Sequence, residues 1–383
     1  MKIKKVSFYN KESEWKLEPI LFSDLTLLVG VSGVGKTQIL DAILDLKRIA
    51  GGQAINGVSW EIIFLVQDGR EYFWSGEFEK KDSFFDGNLS LFDDEDQRKE
   101  KPIIISEALL CDNTEIISRD KNRILFHGTP TPKLSPSESI LSLLSEEDDI
   151  KEASKSFKRI IHSDHAESQM AMRHIEITHY DQLIEKYDTL EKIQNSYYST
   201  HLKLALVYKS VPDIFNKIKE QFIDIFPQVE NIILEVIKDD NTPFFMKQYP
   251  LLQLKEQGVP KLIRQEKISS GMYRTIQHLG EIFLWPKGTV VLIDEFENSL
   301  GINCINVLTQ DLVNENRKLQ FIITSHHPYI INTISPDFWK IVTRQGGTVT
   351  VNDADKFDFN KSNHQAFIQL INQDVYRDGI FTK

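Results

Sequence analysis

Apolar and polar positions alternate with two different periods along this chain, and the changes of period mark its elements. Ile3 to Phe8 and Trp15 to Pro19 read as strands joined through Asn10-Lys11-Glu12. Leu25, Leu27, Leu28 and Val29 form a short apolar run of buried-strand type. Ile39, Leu40, Ile43 and Leu44 then recur at helical spacing over Gln38 to Lys47. Val58 to Gln67 and Glu71 to Phe78 flank the turn signal Asp68-Gly69-Arg70, and Ile103 to Cys111 and Arg123 to His127 extend this antiparallel β region.

Pro130, Pro132 and Pro136, set among Ser and Thr, mark a boundary near Thr129 to Ser139. From Ile140 to about Phe226 the pattern is mainly helical; Ile214, Phe215, Ile218, Phe222 and Ile225 line one face of a helix opened by Pro212. Val229 to Ile237 reads as a strand. After Lys267 helix and strand alternate again: Met272, Ile276, Leu279, Ile282 and Phe283 share a face, and Thr289 to Ile293 and Leu319 to Thr324 are apolar runs of buried-strand type. The expected fold is α/β, divided as 1–133 (first part of a head, with the antiparallel β region), 134–228 (helical lobe) and 229–383 (second part of the head).

Between the apolar run at Leu25 and the first helix lies Gly30-Val31-Ser32-Gly33-Val34-Gly35-Lys36-Thr37, which fits the phosphate-loop pattern G-x-x-x-x-G-K-[ST] at every constrained position. The strand–loop–helix context is the one that the pattern requires. Its glycines let successive N–H groups turn inward on phosphates, and the helix N-terminus adds partial positive charge. Lys36 is expected on the β- and γ-phosphates and Thr37 on Mg²⁺, with Gly30, Ser32, Gly33, Val34, Gly35 and Gln38 completing the nucleotide cradle. ATP or GTP is thus the expected ligand.

Composition narrows this little further. The 383 residues carry a formal charge of −11, which argues against a surface basic throughout, though a local basic patch for DNA stays open. Acidic runs at Asp93 to Asp96 and Glu146 to Asp149 read as solvated, and the polar stretch Phe84 to Lys101 as a mobile loop. Cys111 and Cys304 form no ligand or disulfide pattern. With no leader and no long apolar run, a cytoplasmic protein without a membrane segment is expected.

Three further segments bear on chemistry. Val290 to Ile293 leads into Asp294-Glu295, two acids at a strand end that suit Mg²⁺ binding and water activation, and that also fit an acidic turn after a strand. Ser269-Ser270-Gly271 opens the helix of Met272, as an N-cap or as an anion site. Finally, Thr324-Ser325-His326-His327-Pro328 puts a histidine directly after an apolar strand.

Taken in order, these segments resemble the ABC/SMC-type ATPases grouped with the OLD and RecF families, and most nearly the compact OLD-like "AAA family ATPase" subunits of antiphage defence systems, including Septu-type ones. The resemblance implies an ABC-type ATPase head with an antiparallel β subdomain and an inserted helical lobe. It also implies a head-to-head dimer around two ATP molecules. Ser269, Ser270 and Gly271 of one subunit would face the γ-phosphate held by Lys36 of the other, Asp294 would act on Mg²⁺, Glu295 would be the catalytic base, His326 the switch histidine, and Glu297 to Gly301 the D-loop. No glutamine stands where a Q-loop is expected: Gln67 precedes a tight turn, and Lys133 to Leu144 contains none. The degenerate signature segment suggests slow turnover.

The resemblance to OLD-family nucleases implies a TOPRIM domain after the ATPase head, and the stretch from His326 to Lys383 is expected to leave no room for one. A separately encoded effector, most simply a nuclease, is therefore the expected partner, with the Ala366 to Lys383 segment available to dock it or to pack as a last helix. The competing readings are a RecF-like ATPase acting on DNA directly, a transporter subunit, and an enzyme with a second site at His162, Asp164, His165, His174 and His179.

Overall fold

The computed structural model describes residues 1–81, 101–163, 180–196, 198–236, 249–297, 318–357 and 362–379. The stretch expected to be a mobile loop, apart from Lys101, lies outside these residues. So do Cys304, Asp164, His165, His174, His179 and the D-loop beyond Glu297.

Strands β1 (Lys2–Asn10), β2 (Trp15–Leu21) and β3 (Leu25–Val29) precede helix α1 (Lys36–Ala50). Next come β4 (Val58–Leu65), β5 (Glu71–Phe78), β6 (Ile104–Cys111), β7 (Thr114–Asp120), β8 (Ile124–Phe126) and β9 (Thr129–Pro130). Helices α2 (Ile140–Leu143) and α3 (Asp148–Phe157) lead to β10 (Ile160–His162). Helices α4 (Tyr180–Lys186), α5 (Leu190–Gln194), α6 (Thr200–Ser210) and α7 (Pro212–Ile225) are followed by β11 (Val229–Val236), β12 (Pro250–Glu256), β13 (Ile263–Arg264) and α8 (Ser270–Leu284). The remainder is β14 (Val290–Ile293), β15 (Gln320–Thr324), α9 (Pro328–Thr333), β16 (Trp339–Gln345), β17 (Thr348–Asp353), α10 (Asn363–Ile371) and α11 (Asp374–Asp378).

The chain divides into two compact units. The first contains 1–162, 288–294 and 320–383, the second 163–287 and 295–319. In the first unit the described strands form one mixed sheet in the order β10-β14-β15-β3-β16-β17-β2-β1-β4-β5-β6-β7-β8-β9. From β10 through β3 to β16 every pairing is parallel, which suits the mainly apolar strands β3, β14 and β15, buried along their whole length. From β2 through β1 to β9 the pairings are antiparallel, and β4 and β5 alternate buried and partly exposed positions with period two. An aromatic cluster of Trp60, Trp74, Phe78, Phe64, Tyr72 and Phe157 fills the buried face of this antiparallel part.

Strand β7 escapes a reading by hydrophobic pattern because one of its inward positions is Arg119, only 6% exposed. Its guanidinium faces buried Glu107 at 3.3 Å and donates to the carbonyls of Glu138 (2.7 Å) and Ser135 (2.9 Å). Glu107 in turn accepts from Trp74 Nε1 at 3.0 Å and from Ser139 Oγ at 2.6 Å. Burial raises the carboxyl's pKa, and these donors and the arginine oppose the rise. The network ties β5, β6 and β7 to the start of α2.

The β16–β17 hairpin is likewise absent from the pattern reading, since Thr, Asn and Arg interrupt it. It wedges between β3 and β2, and its turn locks onto the β1–β2 turn. Lys16 N donates to Gly347 O at 2.9 Å, and a Cβ on Gly347 would lie 2.0 Å from Glu14 O. Only glycine permits that approach.

In the second unit, α6 and α7 pack on α8 and on β11 of a small antiparallel sheet ordered β11-β12-β13. Gly280 of α8 lets the helices come close, because a Cβ there would stand 2.8 Å from Thr200 Cγ2. The segment read as mainly helical also contains β10, a strand of the first unit.

Candidate nucleotide site

Parallel pairing sets three strand ends side by side: β14, β15 and β3, in that order. At and just beyond these ends stand Asp294, Thr324 with His326, and the loop from Gly30 to Thr37. Such strand ends are where ligands bind in open α/β sheets.

The loop has the backbone that its composition demands. Gly33 (φ 86°) and Gly35 (φ 101°) occupy the left-handed region, which strains any residue with a Cβ, and Gly35 caps α1. Gly30 is buried against β16: a Cβ there would lie 2.7 Å from the Val342 carbonyl oxygen. Ser32, Gly33 and Thr37 are exposed, whereas Val34 is buried. The Lys36 ammonium is folded over the loop, donating to Gly30 O at 2.7 Å and Val31 O at 3.0 Å.

Asp294 is the meeting point. Thr37 Oγ1 donates to its Oδ2 at 2.9 Å, and Thr324 Oγ1 donates to its Oδ1 at 2.5 Å. One carboxylate thereby joins the phosphate-loop helix to the ends of two neighbouring strands. Thr324 lies inside a segment singled out by its histidine, yet its part in the site is visible only here. The signal in sequence is a hydroxyl directly after the apolar run Phe321-Ile322-Ile323.

One turn beyond Thr37, Asp41 has its pKa raised, first by desolvation and then by Asp45, with Asp294 adding to the rise and His162 opposing it. His162 reaches this end of the sheet because β10 pairs in parallel with β14, bringing it opposite Leu292, two residues before Asp294.

The available ligands, a hydroxyl and a carboxylate, are hard oxygen donors of the type Mg²⁺ takes. Among the described residues no group of three or more His, Cys, Asp or Glu side chains converges as a metal cage. The protein's oxygens therefore fit a Mg²⁺ whose coordination is completed by phosphate and water, the usual arrangement in nucleotide enzymes.

The remaining sequence candidates are placed as follows. Glu295, the first residue of the second unit's later segment, is held at φ 48°. In the same unit Ser269 caps α8, its hydroxyl accepting from Met272 N at 3.3 Å, with Ser269 and Ser270 exposed and Gly271 partly buried. In the first unit, His327 caps α9 through Nδ1, which accepts from Tyr329 N at 3.2 Å, while His326 is exposed just past β15. Gln38 Oε1 accepts from Arg344 Nη1 at 3.4 Å, a partner on β16 that the sequence does not announce.

No curated protein matches the chain in sequence. Among solved structures, an Smc head bound to the C-winged helix domain of ScpA is similar over 92% of this chain and 97% of its own, at 15% identity and a TM-score of 0.48. The SMC head domain from Thermotoga maritima gives 92%, 99%, 15% and 0.42 on the same measures. The Pyrococcus furiosus Smc head with an extended coiled coil, bound to the C-terminal domain of ScpA, gives 93%, 97%, 15% and 0.46. A family model described as "AAA domain, putative AbiEii toxin, Type IV TA system" matches residues 25–332, a span that holds β3, the phosphate loop, Asp294 and His326. The chain belongs to this AAA-domain family of P-loop ATPases.

Proposed function

We propose that this chain binds and hydrolyses ATP with Mg²⁺, dimerises head to head around the nucleotide, and uses the cycle to control a separately encoded effector, a nuclease being the simplest, in antiphage defence. The convergence of Thr37 and Thr324 on Asp294 is the observation that carries the ATPase part. The loop's N–H groups and Lys36 bind the phosphates, which requires the ammonium to leave the carbonyls of Gly30 and Val31. Thr37 and Asp294 hold Mg²⁺, whose charge would offset that building up on the phosphoryl oxygens. Glu295 accepts the proton of the attacking water, and His326 contacts the γ-phosphate. Ser269, Ser270 and Gly271 offer an exposed helix N-terminus to a partner subunit's nucleotide.

The effector and defence parts rest on the sequence resemblance. The family description, "putative AbiEii toxin, Type IV TA system", supports the defence part alone. No helix among the described residues is long and apolar enough to cross a membrane.

Equilibrium binding of a fluorescent ATP analogue together with phosphate release tests the catalytic assignment. Lys36→Ala should abolish binding. Glu295→Gln should keep binding while lowering hydrolysis by about 10²-fold or more, the scale typical of a general base. Normal hydrolysis by Glu295→Gln would remove Glu295 from its role.

A further inference from the structure

The phosphate loop is braced by the C-terminal end of the described chain, an element that the nucleotide reading does not use. Helix α11 ends at Gly379, which is buried and adopts φ 66°. A Cβ at this glycine would stand 2.7 Å from Val34 Cγ1 and 2.9 Å from Val31 Cγ2. The backbone of residue 379 is thus pressed against the two apolar side chains of the loop, at a distance that only glycine allows.

Arg344 of β16 fixes this contact from the far side. Its backbone N–H donates to Gly379 O at 2.7 Å. Its guanidinium donates to Gly346 O at 2.8 Å and to Gln38 Oε1 at 3.4 Å. One residue therefore holds the C-terminal segment with its main chain and the first turn of α1 with its side chain. Together with Val342, whose carbonyl abuts Gly30, β16 and residue 379 touch both limbs of the loop.

We propose that residues 374–379 are a positioning element for the phosphate loop, holding Val31 and Val34 so that the loop's N–H groups are preorganised for the polyphosphate of a nucleoside triphosphate. The inference rests on the reading of the loop as a nucleotide site. Binding to a rigid cradle avoids the ordering cost that a loose loop incurs. The brace therefore favours affinity, and its loss weakens binding without removing any group that touches phosphate. Anything that drew α11 away would loosen the nucleotide, which makes this segment a control point within the chain.

The test compares the full chain, a chain lacking residues 374–383, and Gly379→Asn. Asparagine tolerates a left-handed backbone better than most residues, so its effect reports the side chain pressed onto Val31 and Val34 more than backbone strain. Affinity for N-methylanthraniloyl-ATP with Mg²⁺ is read by fluorescence anisotropy, and thermal melting is read in parallel. Both altered chains should bind about tenfold or more weakly, a loss of about 1.4 kcal/mol per tenfold step. Melting of Gly379→Asn should stay within a few degrees of the full chain. If the deleted chain does not melt cooperatively, Gly379→Asn alone decides. Affinities within twofold of the full chain, or tighter binding, would overturn the brace. Lys36→Ala separates the two levels of the argument: if the full chain and Lys36→Ala bind alike, the nucleotide reading fails. Lys36-dependent binding indifferent to residues 374–379 sinks only the brace.

Discussion

At the residue scale, two positions show how burial sets chemistry away from the site. His201 is 3% exposed, its Nε2–H donating to Pro250 O at 2.7 Å while its ring stacks on Tyr249. Burial lowers its pKa from 6.5 to about 4, against the opposing pull of the Pro250 carbonyl. Between those values the unfolded chain takes up a proton that the folded chain refuses. Stability from this residue is therefore complete above pH 6.5 and drains away on acidification, by about 3 kcal/mol once pH 4 is reached. Melting should weaken from pH 7 to pH 4.5, and His201→Gln should flatten that part of the profile. An unchanged slope in the variant would assign the acid sensitivity to other groups. Lys203 follows the same logic at higher pH: buried, donating to Gln194 O at 2.8 Å and lying over the Trp285 ring, it has its pKa lowered by burial to about 7.

At the element scale, the antiparallel part of the sheet is joined to the helix after it through a charged pair in the core. Glu107 binds Trp74, Ser139 and Arg119, and Arg119 reaches the carbonyls at Ser135 and Glu138. Removing one charge leaves the other buried and uncompensated. Glu107→Ala should accordingly cost about 3–5 kcal/mol in urea unfolding, far more than a surface acid of the same strands. Replacing both partners with apolar residues should recover much of that loss, since the pair itself returns little net stability over well-packed hydrophobic groups. A single-variant cost below about 1 kcal/mol would mean that water reaches the pair. The same principle hid β7 from the pattern reading, because an inward arginine breaks the alternation by which a strand is recognised.

At the scale of the whole molecule, the proposed dimer makes a distinct claim. Glu295→Gln, holding ATP without turning it over, should sediment as a dimer with ATP and Mg²⁺ and as a monomer with ADP. Ser269 and Gly271 enter the proposal as groups acting on a second subunit's nucleotide, so Gly271→Asp should block the shift through charge repulsion at the γ-phosphate while leaving nucleotide binding by the single chain in place. A dimer independent of nucleotide would overturn the sandwich arrangement. Screening the same shift at increasing salt would show how far exposed charges contribute, because such charges are largely screened beyond a Debye length, which is about 8 Å at physiological ionic strength and shortens as salt rises.

Local patterning was enough for the phosphate loop, its flanking strand and helix, the acid-bearing strand and the histidine after β15. Each is a contiguous run whose period, glycines and charged ends are dictated within about a dozen residues. Strands β4, β5, β6 and β8 and the helix at Met272 were legible for the same reason. Tertiary structure decided what depends on distant pairings: β10 opposite β14, the β16–β17 hairpin between β3 and β2, and the meeting of Thr37, Thr324 and Asp294. It also placed Gly379 on Val31 and Val34 and set Arg344 against Gln38. Those contacts join residues separated by tens to hundreds of positions, and no periodicity encodes them. They follow from which strand ends the sheet order makes neighbours, and from where a missing Cβ lets two backbones touch.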